Sequence, residues 1–243
     1  MSSTSPDERR AELARNLEMV RGRIAGACAR AGRPPDDVTL TVVTKFFPAS
    51  DVHLLAGLGV RHVGENRHQE AEAKHAACAG LDLTWHFIGG LQSNKAAAVA
   101  AYADVVESLD RAKLLRGLSA GAHGAPGADR SVDVLVQVDL DPAPAPGSTR
   151  AGCSPGDVDR LAERVAETDG LRLRGVMAVA PLGADPVPAF AKLAEISAQV
   201  RLVDPAATWV SAGMSGDLEP AVESGATHVR IGSAVLGSRP LRR

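Results

Sequence analysis

The feature that most constrains the fold is a regular alternation of short β-branched or apolar runs with Ala-rich helical runs. Eight candidate strands lie at residues 38–45, 60–66, 83–89, 105–110, 132–140, 171–179, 207–213 and 228–234. The stretches between them have the length that a helical crossover between parallel strands needs. Eight such units in 243 residues, close to the roughly 250 that are typical, predict a single-domain α/β protein with the TIM (β/α)8 barrel fold.

A helix precedes the first strand. Residues 7–31 are rich in Ala, Arg, Glu and Leu, and this pattern ends at Gly32, just before two prolines. We therefore expect an extra N-terminal lead-in helix within residues 1–35 and the barrel within residues 36–243. An open Rossmann sheet is disfavoured, because KFFPAS follows the first strand where a G-x-G-x-x-G turn would be needed.

The composition excludes several classes of function. A net charge of −2 and a pI near 6.4 provide no basic field for nucleic acid or for an anionic membrane surface. No segment approaches the roughly 18 consecutive apolar residues of a membrane span. Cys28, Cys78 and Cys153 are odd in number and far apart, which fits reduced thiols better than disulfides. These features predict a cytoplasmic protein that binds neither nucleic acid nor membrane.

One combination of residues has the spacing of a metal site. His68, His75 and Cys78 would share one face of a helix. No carboxylate or second cysteine completes a close ligand set, and zinc sites have tighter spacing. No metal is predicted.

Lys45 closes the apolar first strand, in the stretch TVVTKFFPAS. A lysine at a strand end commonly reaches water or protects a sheet edge. A partly desolvated amine, in contrast, has a lowered pKa and can form an imine with a carbonyl compound. The strand by itself is compatible with both interpretations.

The predicted strand ends are unusually polar, and in a TIM barrel functional residues gather at the C-terminal ends of the strands. These ends carry Lys45, Glu65, Asn66, His86, Gln137, Asp139, Ser211, Ser215, Arg230, Gly232 and Ser233. The small-residue turns SAGMSGD and RIGSA follow strands seven and eight, where phosphate cradles usually form. A phosphate cradle together with an imine-forming lysine predicts a phosphorylated carbonyl ligand. Pyridoxal 5′-phosphate and the sugar phosphate of a class I aldolase both meet this description.

Several motifs together resemble the pyridoxal-phosphate-binding proteins of vitamin B6 homeostasis, which are similar to the barrel domain of alanine racemase. The resemblance runs from about Leu40 to Arg239. The motifs are VVTK ending at Lys45, GEN at 64–66, HFIGGLQSNK at 86–95, LRGVMAV at 173–179, SAGMSGD at 211–217 and VRIGSAVLG at 229–237. HFIGGLQSNK and GMSGD, in this order and spacing, are the most specific of them. The resemblance implies a fold type III barrel without the β domain of the racemases.

The resemblance also implies roles for individual residues. Lys45 would carry the cofactor as a Schiff base, and Arg230 would lie near the pyridine nitrogen. The phosphate would be surrounded by Ser211, Met214, Gly232 and Ser233. Asn66 would orient the cofactor ring or its hydroxyl. His86 would stabilise the nearby loop, although an ordinary hydrogen-bonded core histidine is an equal alternative.

The chain departs from the family pattern at two places. Phe46 and Phe47 stand where family members often carry a second lysine, shortly after the cofactor lysine. Arg150 replaces another lysine in the loop after strand five, which keeps the charge but cannot form an imine. A secondary cofactor site or transfer route that uses those lysines is therefore not expected here.

The resemblance favours a carrier over a catalyst. A racemase needs two bases on opposite faces of its substrate, and in the related racemases the second base is a tyrosine from a separate β domain. The only tyrosine here, Tyr102, falls on a predicted crossover helix. The first hypothesis is a monomeric protein of intracellular pyridoxal phosphate homeostasis that hands its cofactor to apoenzymes. The alternatives are a single-domain amino-acid racemase, with His86 or a water as the second base, and a Schiff-base aldolase acting on a phosphosugar.

Overall fold

The protein folds into a closed barrel of parallel strands. The structure, a computed structural model, describes residues 5–124, 130–141 and 151–238. Within these residues the strand order around the barrel is the order along the chain. The strands are β1 (Thr39–Val43), β2 (His62–Glu65), β3 (Thr84–Phe87), β4 (Val105–Leu109), β5 (Val132–Val138), β6 (Leu171–Ala178), β7 (Trp209–Ser211) and β8 (His228–Ile231). Because β1 pairs in parallel with both β2 and β8, the sheet closes, and the predicted TIM barrel is confirmed.

Helices cover the outside of the barrel. In the described segments they are α1 (Pro6–Arg30), α2 (Ala49–Gly57), α3 (His68–Ala77), α4 (Ala96–Ala100), α5 (Leu115–Gly124), α6 (Val158–Ala166), α7 (Pro186–Val203), α8 (Leu218–Glu223) and α9 (Ser233–Leu236). Single 3-10 turns precede β1, α4, α5 and α6. No helix in this part of the chain is both long and apolar enough to cross a lipid bilayer.

Each predicted strand segment contains an observed strand, but the observed strands are shorter. β1 ends at Val43 and not, as predicted, at Lys45. The backbone N–H of Thr44 still donates to the Gly64 carbonyl oxygen at 3.0 Å. Phe46 then takes a φ of +73°, which breaks the extended conformation. Lys45 therefore lies in the turn that follows the strand.

The N-terminal helix α1 packs on the barrel through one apolar stripe. Its start is fixed by a capping box, in which the Ser5 hydroxyl accepts from the Glu8 N–H and the Glu8 carboxylate accepts from the Ser5 N–H. Helical spacing places Leu13, Leu17 and Val20 on one buried face. This face shares a hydrophobic core with residues of β1, β2 and β8 and with helices α2, α8 and α9. The helix thereby closes the side of the barrel where the first and last strands meet.

The inside of the barrel is part apolar and part polar. Val105, Leu135 and Met177 form a small apolar cluster with the edge of Trp209. The remaining interior holds buried polar side chains from β3, β4, β7 and β8. All strands run in parallel, so their C-terminal ends open at one mouth, and the buried polar side chains lie beneath it.

Gly121→Ala tests how closely α4 and α5 approach each other. A Cβ at Gly121 would overlap the carbonyl oxygen of Ala97 and lie 2.8 Å from the Ala100 Cβ. We expect the substitution to lower the free energy of unfolding by about 1–3 kcal/mol, as overpacking does. In the control, Gly22→Ala on α1, the new Cβ meets no described atom within 4 Å. That change should raise the free energy of unfolding by roughly 0.5–1 kcal/mol, since alanine favours a helix. Urea denaturation measures both, and equal effects at the two sites would contradict this packing.

Candidate functional site

A cavity of about 280 Å³ opens at the mouth of the barrel, beside the ends of β1, β7 and β8. Its lining consists of Val43, Lys45, Phe46, Phe47, Ile88, Met214, Ser215, Gly216, Arg230, Gly232, Ser233 and Gly237. Five of the eight residues expected to bind a cofactor are in this lining. Those five are Lys45, Met214, Arg230, Gly232 and Ser233. The structure thus brings together residues that are nearly 190 positions apart in the sequence.

Lys45 is a half-buried lysine at the end of the first strand. Its turn is held by a hydrogen bond from the Phe47 N–H to the Thr44 carbonyl oxygen at 3.1 Å. Phe47 is itself buried and forms part of the cavity wall. Lys45 therefore lies in a hydrogen-bonded turn with an apolar neighbour and lines the cavity.

Two small-residue turns form another part of the cavity wall. The turn after β7 is fixed by a 2.6 Å hydrogen bond from the Met214 N–H to the Asp217 carboxylate. The hydroxyl groups of Ser215 and Ser233 lie 3.3 Å apart, which joins this turn to the one after β8. The two turns also approach β1 closely, since a Cβ at position 232 would lie 3.3 Å from the Val43 carbonyl oxygen. Ser215, which is absent from the predicted set of binding residues, thus lines the cavity with Ser233.

Arg230 forms the buried floor of the cavity. It is 4% exposed, and its guanidinium donates to the Ser211 hydroxyl at 2.7 Å and to the Ala178 carbonyl oxygen at 2.8 Å. Burial lowers the pKa of Arg230 from its ordinary value, and the nearby carboxylate of Glu107 opposes that shift. The guanidinium is an obligate hydrogen-bond donor that is locked in one orientation.

Glu107 is the buried counter-charge of this arginine, and the sequence analysis missed it. It accepts hydrogen bonds from the Ser211 hydroxyl at 2.6 Å and from His86 Nδ1 at 2.7 Å, and it lies 3.9 Å from the Arg230 guanidinium. Burial by itself would raise its pKa, but the bond from His86, the charge of Arg230 and the bond from Ser211 lower the pKa to about 2. A sequence signal was present, since Glu107 is the one acid in the middle of the apolar strand VVESL.

His86 is part of the barrel interior and does not line the cavity. Its Nδ1 faces Glu107, and its Nε2 lies 3.0 Å from Nδ1 of His62. Burial, followed by the influence of His86, lowers the pKa of His62 to about 4. A hydrogen-bonded chain therefore runs from Arg230 through Ser211, Glu107 and His86 to His62.

Ser211 and Asn66 also lie outside the cavity lining. Ser211 is fully buried, and its hydroxyl is engaged by both Glu107 and Arg230. Asn66 is half-buried at the end of β2, where its backbone packs so closely on Gly89 that a Cβ at Gly89 would overlap the Asn66 carbonyl oxygen. The Ser211 hydroxyl is thus fully engaged by protein groups, whereas Asn66 keeps part of its surface exposed.

The two phenylalanines after Lys45 both line the cavity. The guanidinium of Arg67 lies 5.3 Å from the Phe46 ring centroid, and that of Arg9 lies 5.8 Å from the Phe47 ring centroid. Where the resembling family often carries a second lysine, this chain thus has an aromatic wall. Arg150, the other departure, lies outside the described residues.

The His68, His75 and Cys78 combination does not come together as a metal site. Both histidine rings pack against Tyr102, with ring centroids 6.0 Å and 5.7 Å away. In the described part of the chain, no group of three or more His, Cys, Asp or Glu side chains is placed to hold a metal ion.

Comparison with known proteins agrees with the fold and with the family that the sequence motifs indicate. Residues 11–240 match the family model of the alanine racemase N-terminal domain. The pyridoxal phosphate homeostasis protein of Mycobacterium tuberculosis is 42% identical over 253 residues, covering 99% of this chain and 97% of the relative. The protein of the same name from Escherichia coli is 36% identical over 94% of this chain and 97% of its own length.

A solved structure extends this agreement to three dimensions. PipY of Synechococcus elongatus, solved with PLP bound, superimposes with a TM-score of 0.78 at 34% identity, covering 93% of this chain and all of PipY. The fold and its mouth define a barrel of the alanine racemase N-terminal type. Within that class, this chain belongs to the family of pyridoxal phosphate homeostasis proteins.

Glu107→Gln tests the buried charge under the cavity. The substitution leaves Arg230 buried without its counter-charge, and we expect the free energy of unfolding to fall by about 3–5 kcal/mol at pH 7. The loss should shrink as the pH falls from the ordinary glutamate value of 4.5 towards 2. The reason is that a carboxyl with a lowered folded-state pKa stabilises the fold above its unfolded pKa and loses that effect as pH falls through the folded value.

Glu219→Gln serves as the control for this measurement. Glu219 pairs with Arg23 at 2.7 Å on the surface, where its side chain is 32% exposed. Its replacement should change stability by less than about 1 kcal/mol. Chemical denaturation at several pH values compares the two variants, and losses of similar size would refute a special role for the buried carboxylate.

Proposed function

We propose that this chain binds pyridoxal 5′-phosphate as a Schiff base on Lys45 and serves pyridoxal phosphate homeostasis without conventional catalysis. One observation carries the proposal. Relatives of this chain are named pyridoxal phosphate homeostasis proteins. In this chain, Lys45 lines the same barrel-mouth cavity as the serine–glycine turns after β7 and β8. An amine for the aldehyde and a cradle for the phosphate are thus both present in one cavity.

The residues of the cavity fit this molecule. A volume of about 280 Å³ is near the lower end of the roughly 300–1,000 Å³ typical of small-molecule sites and suits a single-ring compound. Ser215, Ser233 and the backbone beside Gly232 would hold the phosphate, with Met214 against them. Arg230 would meet the pyridine nitrogen. Bound pyridoxal phosphate would supply an aldehyde and an electron-withdrawing ring.

The residues outside the lining are assigned supporting roles. We propose that Ser211 acts on the ligand through Arg230, because its hydroxyl accepts a hydrogen bond from the Arg230 guanidinium. His86 acts through Glu107, to which it is hydrogen-bonded. Asn66, at the end of β2, would help to orient the ring from the rim of the mouth. The assignments of Ser211 and His86 follow from the hydrogen bonds that these side chains make to groups beside the cavity.

The placement of candidate second bases supports a carrier over a racemase. Arg230 does not separate the two classes. It can only donate hydrogen bonds and would leave the ligand a weak electron sink, but the racemases that the barrel resembles work with the same arrangement. Tyr102 is 8% exposed beside His68, and burial raises its pKa. His86 is fully occupied between Glu107 and His62.

Three further parts of the proposal come from the sequence. We propose a monomer that works in the cytoplasm and passes its cofactor to apoenzymes. All three cysteines are buried free thiols, which agrees with a reducing compartment. Light scattering tests the monomer, fractionation of cells tests the location, and activation of an apoenzyme by the loaded protein, relative to free cofactor, tests the transfer.

Lys45→Ala tests the attachment. After incubation with pyridoxal phosphate and reduction with borohydride, we expect the unmodified chain to carry a stable adduct on the peptide that contains Lys45. The alanine variant should carry none, because the nucleophilic amine is gone. Lys113→Ala, which removes an exposed lysine outside the cavity, should behave like the unmodified chain. Peptide mass spectrometry reads the result, and an adduct on another lysine would overturn the assignment.

Exchange of the α-hydrogen of added amino acids in D2O tests the absence of racemase chemistry. Because the described residues of the cavity lining include one amine and no second base, the loaded protein should exchange this hydrogen no faster than free pyridoxal phosphate does. NMR of alanine and other amino acids measures the rate. Exchange well above that of the free cofactor would favour the racemase alternative.

A further inference from the structure

Lys74, on helix α3, is a buried lysine that the cavity itself does not use. Its side chain is 5% exposed. Its Nζ lies 2.5 Å from Glu65 Oε1, 2.9 Å from the Thr44 carbonyl oxygen and 3.2 Å from Glu70 Oε1. Lysine is almost never buried unless it is paired. Buried Lys74 and Glu65 form an ionic cluster with the partly exposed Glu70, and we call these three side chains the α3 clamp.

Every arm of the α3 clamp ends on the turn that carries Lys45. The Thr44 hydroxyl donates to Glu65 Oε1 at 2.6 Å, and Lys74 binds the Thr44 carbonyl oxygen. On the other side of Lys45, the Phe46 N–H donates to Glu70 Oε1 at 2.5 Å. The residue before Lys45 and the residue after it are therefore both tied to the same cluster.

The turn needs such support because its backbone is strained. Among the described residues, Phe46 is the one non-glycine with a positive φ, at +73°. A non-glycine residue held in this region costs on the order of 1–3 kcal/mol and persists only where its surroundings impose it. The hydrogen bond from the Phe46 N–H to Glu70 and the packing of its ring under Arg67 are contacts that impose it.

Burying the charges of the clamp costs desolvation free energy, and the packing of the fold does not require it. Glu65 is 1% exposed, and its Oε2 is a buried oxygen with no hydrogen-bond partner in the described structure. Burial raises the pKa of Glu65, and the charge of Lys74 and the bonds from Lys74 and Thr44 oppose that shift. Apolar residues of similar size would often stabilise such a position at least as well as a buried ion pair. This cluster costs desolvation free energy, and its hydrogen bonds converge on a single turn. We infer that the conformation of that turn matters to the protein.

We propose that Lys74, Glu65 and Glu70 are positioning residues that hold the Lys45 turn in the conformation needed for covalent attachment of the cofactor. This inference deepens the proposed function and rests on it. In the attachment, the neutral Lys45 nitrogen forms a bond to the aldehyde carbon, and the aldehyde oxygen leaves as water with the two amine hydrogens. The clamp exchanges no proton in this reaction. It fixes the path along which the amine approaches the aldehyde, and such orientation strongly affects rate.

Glu70→Ala is the direct test, since it removes the acceptor of the Phe46 N–H from a side chain that is 27% exposed. The rate of attachment is followed by the absorbance change after mixing with pyridoxal phosphate. In parallel, the affinity for pyridoxine 5′-phosphate, which has no aldehyde, reports on the cavity alone. We expect attachment to slow by about tenfold or more, because the amine loses its orientation, while the affinity for pyridoxine phosphate stays unchanged.

Two further variants keep the test specific. Glu70→Gln retains an oxygen acceptor for the Phe46 N–H and should lose less of the rate than Glu70→Ala. Glu72→Ala is the control on the same helix. The Glu72 side chain is 61% exposed, and its carboxylate lies 3.9 Å from His68 Nε2. This variant should attach the cofactor at the original rate. Thermal unfolding confirms that each variant is folded.

The outcomes separate this inference from the function on which it rests. Attachment by Glu70→Ala at the original rate would overturn the positioning role. Equal losses of attachment and of pyridoxine phosphate binding would also overturn it, because the clamp would then be only structural. If the unmodified chain forms no adduct on Lys45, the proposed function fails first, and the inference falls with it.

Discussion

The pairing of β1 with β8 is the constraint on which the rest of the structure depends. The two strands come from opposite ends of the barrel sequence, and their register sets Thr41 beside Arg230. This ladder closes the sheet and brings the turn that carries Lys45 next to the turn at Gly232. The closeness is visible at Gly232, where a Cβ would lie 3.3 Å from the Val43 carbonyl oxygen. Without closure, the amine and the serine–glycine turns would have no common cavity.

Two ionic clusters, each with buried charges, then hold the two sides of that cavity. Inside the barrel, Glu107 fixes Arg230 directly and through Ser211. Outside it, Lys74 and its carboxylate partners hold the backbone around Lys45. Both clusters cost desolvation free energy, and hydrogen bonds offset much of that cost. Their common effect is to fix the orientation of groups that line the cavity.

The secondary structure elements were more predictable from the sequence than the side-chain contacts were. Eight strands and their helical crossovers were readable because hydrophobic periodicity is a local signal. Lys45 and the turns after β7 and β8 were predicted to lie together at the barrel mouth because functional residues gather at strand ends in this fold, and they do line one cavity. Glu107 was not predicted because it lies in the middle of β4 and not at a strand end. Lys74 has Glu70 four residues before it, the usual pattern of a solvated helix pair, so its burial was not foreseeable.

The strained turn at Phe46 was likewise invisible in the sequence, because φ is positive there without a glycine to announce it. Short-range patterns and motifs were enough to predict the fold class, the family and Lys45 as the candidate attachment residue, because each of these predictions depends on neighbouring positions in the chain. Only the tertiary structure decided which polar side chains are buried and what they bind. The bond from Ser211 to Glu107 joins residues 104 positions apart, and such pairs exist only once the closed barrel has removed both groups from water.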